Sequence, residues 1–236
     1  MGNDKVYVFL AVRNGEKYIE QAIQSVLNQA YRNFKLVVIV NGSSDNTYLV
    51  CRNLMTNDMI LLQEREPGKS NALNPWIDYF SHRDTDFKWV AIQDADDIWH
   101  PTKLEEQMKY AAAYDVIGTD CNYIDASGSV IDINPRPKPY LHEKIVEDAF
   151  SGHNPITNCS VLFNYKKLVN IPGLFNLYDP NLDGIEDYDL WLRTMRYSNA
   201  KFINIPQKLV DHRIHPESHF NTKKFDIQAL INKYKK

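Results

Sequence analysis

The chain has 236 residues, enough to bury a sizeable core in one large domain. Its 27 Lys+Arg against 30 Asp+Glu leave a formal net charge of -3, which excludes a global basic field for nucleic acid, so any anion must be bound locally. Cys51, Cys121 and Cys159 are scattered without close-paired metal spacing, the Met1 end lacks a signal-peptide pattern and no apolar run is long enough to cross a bilayer, so we expect reduced thiols and a cytoplasmic protein.

Val6 to Val12 is a near-continuous apolar run, as in a strand buried on both faces of a parallel sheet. Arg13-Asn14-Gly15 breaks it, and Tyr18, Ala22, Ile23, Val26 and Leu27 then recur at helical spacing. Phe34 to Val40 repeats the strand signature and ends in the turn and cap residues Asn41 to Asn46, before a helix over Thr47 to Leu54. A short third strand is expected at Met59 to Leu62, a helix at Ser70 to Phe80 and a fourth strand at Phe87 to Gln93. Alternation of this kind predicts an α/β fold, a mostly parallel central sheet with helices on both faces, and ligands beyond the carboxyl ends of the strands.

Pro101 suits the first turn of a helix through Leu104, Met108 and Ala112, and Val116 to Thr119 resumes the sheet. Tyr123 to Ile131 reads as a hairpin, and Pro135-Arg136-Pro137-Lys138-Pro139 as an exposed loop. A helix through Ile145 and Phe150, a loop from His153 to Asn158 and a strand from Cys159 to Phe163 follow. Glu186 to Tyr197 is an amphipathic helix with an acidic first turn, Phe202 to Ile205 and Leu209 to Arg213 are two short strands, and a small helix closes on Lys233 to Lys236. We expect a single domain over 1–236, with one half at about 1–120, a second at about 121–220 and a helical tail at about 221–236.

Chemistry concentrates where Trp89 to Gln93 runs into Asp94-Ala95-Asp96-Asp97. Three carboxylates so close repel one another, and solvent, a basic neighbour or a hard cation must offset the charge. On local grounds the stretch reads as a metal site or as a solvated acidic loop before a helix. Glu186, Asp187 and Asp189 favour the positive end of their helix dipole, and a partly desolvated carboxylate among them could also serve as a general base. His215 could add a nitrogen ligand to a metal, and Lys69, at a helix start after Gly68, could hold a phosphate. Gly42-Ser43-Ser44-Asp45 is a turn and cap by local chemistry, and Asn154 and Asn158 could contact sugar hydroxyls.

Taken in order, these segments resemble a family 2 glycosyltransferase of the GT-A fold: Phe9 to Gln29, Phe34 to Thr47, Gly68-Lys69-Ser70-Asn71-Ala72-Leu73-Asn74, Asp94 to Pro101, Glu186 to Arg193 and Arg213-Ile214-His215. The resemblance implies inverting, metal-dependent sugar transfer from a nucleotide-diphosphate sugar, a UDP-sugar first among them, to a glycan or lipid-linked glycan. It matches Asp94 and Asp96 to a DxD pair and His215 to the histidine completing the shell of a divalent metal, Mn²⁺ or Mg²⁺. Asp187 matches the catalytic base with Glu186 beside it, and donor contacts fall on Ala11, Val12, Arg13, Asn41, Lys69, Asp94, Ala95 and Asp96. Three sites depart from the family pattern: Arg13 stands where a Tyr is common, Val40-Asn41 where Asp-Asp is common, and Asn158-Cys159 in a loop where relatives often carry other residues. Arg13 can still lie on a base by cation–π contact and Asn41 can hydrogen-bond to it in both senses. The alternatives are a non-catalytic nucleotide-sugar or glycan-binding module, motivated by those changes, and a sugar-1-phosphate nucleotidyltransferase, against which the first loop lacks a Gly-rich triphosphate cradle. The basic tail suggests peripheral contact with a membrane surface, or a solvated helix end.

Overall fold

The computed structural model describes residues 4–133, 135–169, 171, 176–216 and 225–235. Four strands build the first half of the sheet: β1 (Val6–Val12), β2 (Phe34–Asn41), β3 (Met59–Glu64) and β4 (Trp89–Asp94). All pair in parallel, β1 lying between β2 and β4 and β2 between β1 and β3. Their apolar runs are continuous because both faces are covered. Val6, Val8, Leu10 and Val12 of β1 pack with Ile19, Ala22, Ile23 and Val26 of α1 (Ile19–Leu27), and α2 (Thr47–Asn53) adds Cys51 to that face. Tyr7 and Phe9 point the other way, onto Ala72, Leu73 and Ile77 of α3 (Lys69–Arg83).

The second half is mixed. A short β5 (Ile98–Trp99) and α4 (Lys103–Met108) lead to β6 (Val116–Ile124), α5 (His142–Phe150), β7 (Leu162–Asn164), α6 (Tyr165–Val169), α7 (Glu186–Tyr197), β8 (Phe202–Arg213) and α8 (Ile227–Tyr234). The eight-stranded sheet runs β3-β2-β1-β4-β7-β6-β8-β5. β7 is antiparallel to both β4 and β6, β8 is parallel to β6, and β5 is antiparallel to β8.

Several elements differ from the sequence reading. The two expected final strands are one, because β8 continues through exposed Pro206, Gln207 and Lys208 while its register with β6 shifts on either side of Asp120. Such an irregularity accommodates a proline that has no N–H for the ladder. The strand expected from Cys159 begins only at Leu162; Asn158–Ser160 instead form a 3-10 turn in which Ser160 Oγ donates to Thr157 O at 2.8 Å. That local bond competes with strand pairing. The expected hairpin reduces to a single antiparallel bridge, Ile124 to Val130, around a turn in which the Asp125 carboxylate accepts from Ser127 N and Ser129 N. The proline-spaced loop is tethered rather than merely exposed: Arg136 pairs with Asp148, and Lys138 Nζ donates to Thr157 Oγ1 at 2.6 Å and Thr119 O at 3.1 Å.

The described part of the tail also differs from a solvated helix end. Leu230, Ile231 and Tyr234 of α8 pack on Ala149, Tyr188 and Leu192, and Tyr234 Oη donates to Asp189 Oδ1 at 2.6 Å. Lys233 is drawn to the same carboxylate at 3.1 Å. Residues 221–224 and Lys236, which the sequence reading places in the tail, lie outside the described residues. The three cysteines are free and buried, and among the described residues no helix is long and apolar enough to cross a membrane.

Candidate functional site

The loops after β1, β2 and β4 meet at one end of the sheet, and the first two are laced together by short polar side chains. Asn14 N donates to Ser43 Oγ at 3.0 Å, Gly15 N to Thr47 Oγ1 at 2.8 Å, Ser44 N to Asn14 Oδ1 at 2.8 Å and Asn46 N to Glu16 Oε2 at 2.9 Å. Asn14 sits at φ 51°, a left-handed conformation that asparagine tolerates. Gly15 approaches so closely that a Cβ there would lie 2.4 Å from Val12 Cγ2. Gly42-Ser43-Ser44-Asp45 is therefore more than a local cap: it orders the backbone that follows Ala11, Val12 and Arg13. Ala11 and Val12 end β1, and Arg13 is exposed just beyond it.

Asn41 is buried, with its amide turned to the loop before α3: Nδ2 donates to Glu66 O, and Oδ1 accepts from Gly68 N at 3.0 Å. The departure from the family pattern at this position thus has a structural occupation, holding the loop that delivers Lys69. Gly68, at φ +117°, is tightly enclosed, since a Cβ would fall 2.5 Å from Asp183 Oδ2. The same Asp183 accepts from Ser70 N at 3.0 Å and Ser70 Oγ at 2.5 Å, supplying from a distant segment a cap for α3. Asp183 stands three residues before Glu186, so this bond ties the start of α3 to the approach to α7. No local spacing announces it.

Lys69 pairs with Asp94 and lies 3.8 Å from Glu186 Oε1, bridging the end of β4 to the start of α7. Burial opposes its charge, but the Asp94 and Glu186 carboxylates outweigh that and raise its pKa. β4 ends at Asp94, and Asp96 and Asp97 take separate partners on β8 and just beyond it. Asp96 Oδ2 lies 2.9 Å from His215 Nε2; Asp97 accepts from Arg213 N at 2.7 Å and approaches His212 Nδ1 at 3.0 Å. Arg213 organises the whole turn: its Nε donates to Asp96 O at 2.7 Å, Nη1 to Asp125 O at 3.0 Å and Nη2 to Gln21 Oε1 at 2.8 Å, with the guanidinium 4.5 Å from the Tyr18 ring centre. Sequence reading assigned this arginine no task. Ala95 packs against the core between the two carboxylates.

Burial, then the charges of Asp97 and Asp94, raise the Asp96 carboxyl, while its bond with His215 pulls the other way. A divalent cation would offset that repulsion, and carboxylate oxygens with one imidazole nitrogen are a donor set that suits Mn²⁺ or Mg²⁺. Of the expected metal residues, Asp96 and His215 are in contact, whereas Asp94 is drawn to Lys69. Glu217 and Ser218 of the His215 motif lie outside the described residues.

On the facing side, α7 presents Glu186 and Asp187, both buried. Glu186 accepts from Gly184 N at 2.6 Å. Asp187 accepts from Asn154 Nδ2 at 2.9 Å and from Tyr188 N at 2.8 Å, and among the described residues no cation is within ion-pair distance of it. Burial first, then the neighbouring Glu186, push its carboxyl up to about 7, against the lowering effects of Asn154 and the Lys69 charge. Asn158, in the same loop as Asn154, keeps both its side-chain oxygen and nitrogen buried without a hydrogen-bond partner among the described residues. An amide left in that state has capacity for a ligand hydroxyl.

A mixed, mostly parallel sheet with helices on both faces, carrying these loops at one end, is the α/β architecture of GT-A glycosyltransferases. The fold matches S. aureus TarS (1–349) in complex with UDP-GlcNAc at a TM-score of 0.68, with 16% identity over 96% of this chain and 65% of that one. It also matches the mannosyltransferase PcManGT from Pyrobaculum calidifontis, in complex with GDP-Man and Mn²⁺, at 0.65, with 18% identity over 90% and 58%. Glycosyl transferase family 2 matches residues 7–168, and the chain belongs to that family. An uncharacterized glycosyltransferase of Haemophilus influenzae is 29% identical over 224 residues, 89% of this chain and 65% of that protein. The O-antigen biosynthesis glycosyltransferase WbnJ of Escherichia coli is 27% identical, covering 91% and 82%. The E. coli UDP-Glc:alpha-D-GlcNAc-diphosphoundecaprenol beta-1,3-glucosyltransferase WfgD is 29% identical, covering 84% and 73%. The chain thus spans about two thirds of the length of the Haemophilus relative.

Proposed function

We propose that this chain catalyses inverting transfer of a sugar from a nucleoside diphosphate donor to an acceptor hydroxyl, with Asp187 as the general base. The observation that supports it best is Asp187 itself: a buried carboxylate oriented by Asn154, raised to about 7 and across Lys69 from Asp94. A base poised near neutrality can take a proton from a hydroxyl and still be ionised in part beforehand. In one displacement the acceptor oxygen bonds to the anomeric carbon as the bond from that carbon to the diphosphate oxygen breaks. The electron pair leaves with the diphosphate, and the acceptor proton passes to Asp187. Glu186 anchors the start of the helix that carries the base and faces Lys69, whose fixed positive charge stands between the donor side and the base.

Asp96, Asp94 and His215 would hold a divalent cation, Mn²⁺ or Mg²⁺, which when bound supplies Lewis-acid stabilisation of the departing diphosphate. We infer a UDP-sugar as donor, in keeping with the UDP-Glc of WfgD and the UDP-GlcNAc of TarS, although PcManGT carries GDP-Man. Ala11, Val12 and Ala95 would line its site and exposed Arg13 would stack on the base, while Asn41 acts through the loop it holds. The acceptor we infer is a glycan or lipid-linked glycan, with Asn154 and Asn158 beside its hydroxyls and a peripheral membrane position for the working protein, as the diphosphoundecaprenol acceptor of WfgD suggests.

The test is a thermal-shift screen of nucleotide diphosphate sugars with and without Mn²⁺, followed by transfer assays on the donor that binds. A metal-dependent shift and turnover that Asp187→Asn abolishes are expected. Binding without turnover on any glycan acceptor would favour a non-catalytic module, and release of pyrophosphate from a nucleoside triphosphate would favour nucleotidyl transfer.

A further inference from the structure

One residue past Asp96 the chain offers a second, chemically different set of ligands. Asp97 Oδ2 lies 3.0 Å from His212 Nδ1, Cys159 Sγ lies 3.7 Å from the same nitrogen, and the three ligand atoms all fall within 4.8 Å of one another. Among the described residues this is the Asp, Glu, Cys and His trio found at that spacing. The geometry points to a zinc site formed by Asp97, Cys159 and His212, separate from the donor-side carboxylates and independent of the transfer reading.

The distances suit that ion. Zinc bonds of about 2.0–2.1 Å to nitrogen or oxygen and about 2.3 Å to sulfur separate tetrahedral ligands by roughly 3.3–3.6 Å. The observed 3.0 and 3.7 Å from His212 Nδ1 then need adjustments of roughly a few tenths of an ångström about a bound ion, and the Asp97 and Cys159 ligand atoms, within 4.8 Å of each other, would close on it. The carboxylate is already oriented, because Asp97 Oδ1 accepts from Arg213 N at 2.7 Å and Oδ2 is turned to the trio. Outer bonds of this kind fix the ligands of natural metal sites. Charge balances as well: a carboxylate and a thiolate cancel the double positive charge of zinc, the Cys159 thiol, which burial holds protonated, giving up its proton as the ion binds. Asp97 is 1% exposed at its side chain whereas His212 is 37% exposed, so an ion would reach the trio from the imidazole side, and three protein ligands leave the fourth tetrahedral position to water.

Ligand softness separates the two sets. Thiolate and imidazole favour zinc, whereas the oxygen-rich Asp94, Asp96 and His215 set suits Mn²⁺ or Mg²⁺. Adjacent carboxylates, Asp96 and Asp97, are thereby sorted to histidines three residues apart. A zinc ion at the second set would fasten three distant segments: the turn after β4, the 3-10 turn before β7 and the end of β8. It would hold Asp96 and His215 in register from behind without touching the substrate.

The full chain, stripped with a chelator and dialysed, would be titrated with Zn²⁺ and separately with Co²⁺. Expected are one equivalent of zinc retained through gel filtration, a raised Tm, and a sulfur-to-cobalt charge-transfer band in the cobalt form. Cys159→Ser and His212→Gln should each weaken zinc binding by more than about tenfold, with Cys159→Ser removing the band, while Asp96→Asn keeps both the zinc and the band. His212 is half-exposed, so its variant should fold, and unfolding of the metal-free forms checks that the variants match the metal-free wild type. Failure of the wild type to retain zinc, retention in Cys159→Ser, or loss in Asp96→Asn rather than His212→Gln would each overturn the assignment.

Discussion

Two triplets of carboxylates, Asp94, Asp96 and Asp97 after β4 and Glu186, Asp187 and Asp189 at the start of α7, face the same problem of crowded negative charge and meet it differently. The first triplet is shared out among cations and donors brought from far along the chain: Lys69 takes Asp94, His215 takes Asp96, and His212 with the Arg213 amide takes Asp97. In the second, Glu186 faces Lys69 and Asp189 is held by Tyr234 and Lys233, whereas among the described residues Asp187 is met by the neutral Asn154 amide and a backbone N–H. Burial first, and then the neighbouring Glu186 charge, push the Asp187 carboxyl up, and its two hydrogen bonds offset only part of that rise. The difference separates a turn whose carboxylates are each met by a cation or a backbone donor from a helix end whose Asp187 is met by neutral donors.

The largest effects should come from removing the distinguishing carboxylate on each side. Asp187→Asn should lower turnover by about 10²–10⁴-fold with donor binding retained, the range expected for loss of a general base. Asp96→Asn should nearly abolish transfer and also remove any metal dependence of donor binding, measured by thermal shift in parallel with activity; near-wild-type turnover in either variant would sink the assignment. Lys69→Met breaks the bridge between the triplets, leaving Asp94 and Glu186 without their cation. With the Lys69 side chain 27% exposed, a loss of about 1–3 kcal/mol is expected, read as a fall of several degrees in Tm.

Titration sharpens the same contrast. Activity should rise with pH through about 7 as Asp187 loses its proton in the presence of Glu186 and Lys69. Asn154→Ala removes a bond that lowers this pKa, so the rise should move to higher pH; an unmoved profile would mean that Asn154 does not set the base. The stability consequence has the opposite sense. The folded pKa lies above the ordinary 3.8, so the folded state keeps this proton longer than the unfolded one, and the contribution of Asp187 is present below about 4 and lost as pH rises through 7. Relative to wild type, Asp187→Asn should therefore gain stability between pH 5 and 8, measured by denaturant unfolding. The smallest effect on transfer is that of Tyr234→Phe: Asp189 keeps Lys233 but loses one buried bond, costing about 1–3 kcal/mol of stability.

Much of this fold was legible because local pattern and tertiary environment agree. The runs from Val6, Phe34 and Trp89 are uninterrupted since each strand is covered on two faces, and Glu186–Tyr197 is both a strong amphipathic pattern and a helix to the residue. Legibility failed where an element owes its shape to a partner. β7 is three residues long because it fits between β4 and β6, β8 bends around a register shift against β6, and α8 is held by the α7 carboxylate Asp189.

The candidate site divides in the same way. Asp94, Asp96, Glu186, Asp187, Lys69 and His215 were readable as residue types of the right chemistry at the ends of predicted elements, and their order along the chain carried the family resemblance. What each one touches was decided only by folding, because a salt bridge or hydrogen bond between residues 25 or 119 positions apart leaves no trace in local spacing. Asp183 capping α3, Arg213 threading the acidic turn and Cys159 meeting His212 belong to that second class. The chain alone determined which groups are available; the packed sheet determined which carboxylates meet cations and which meets neutral donors.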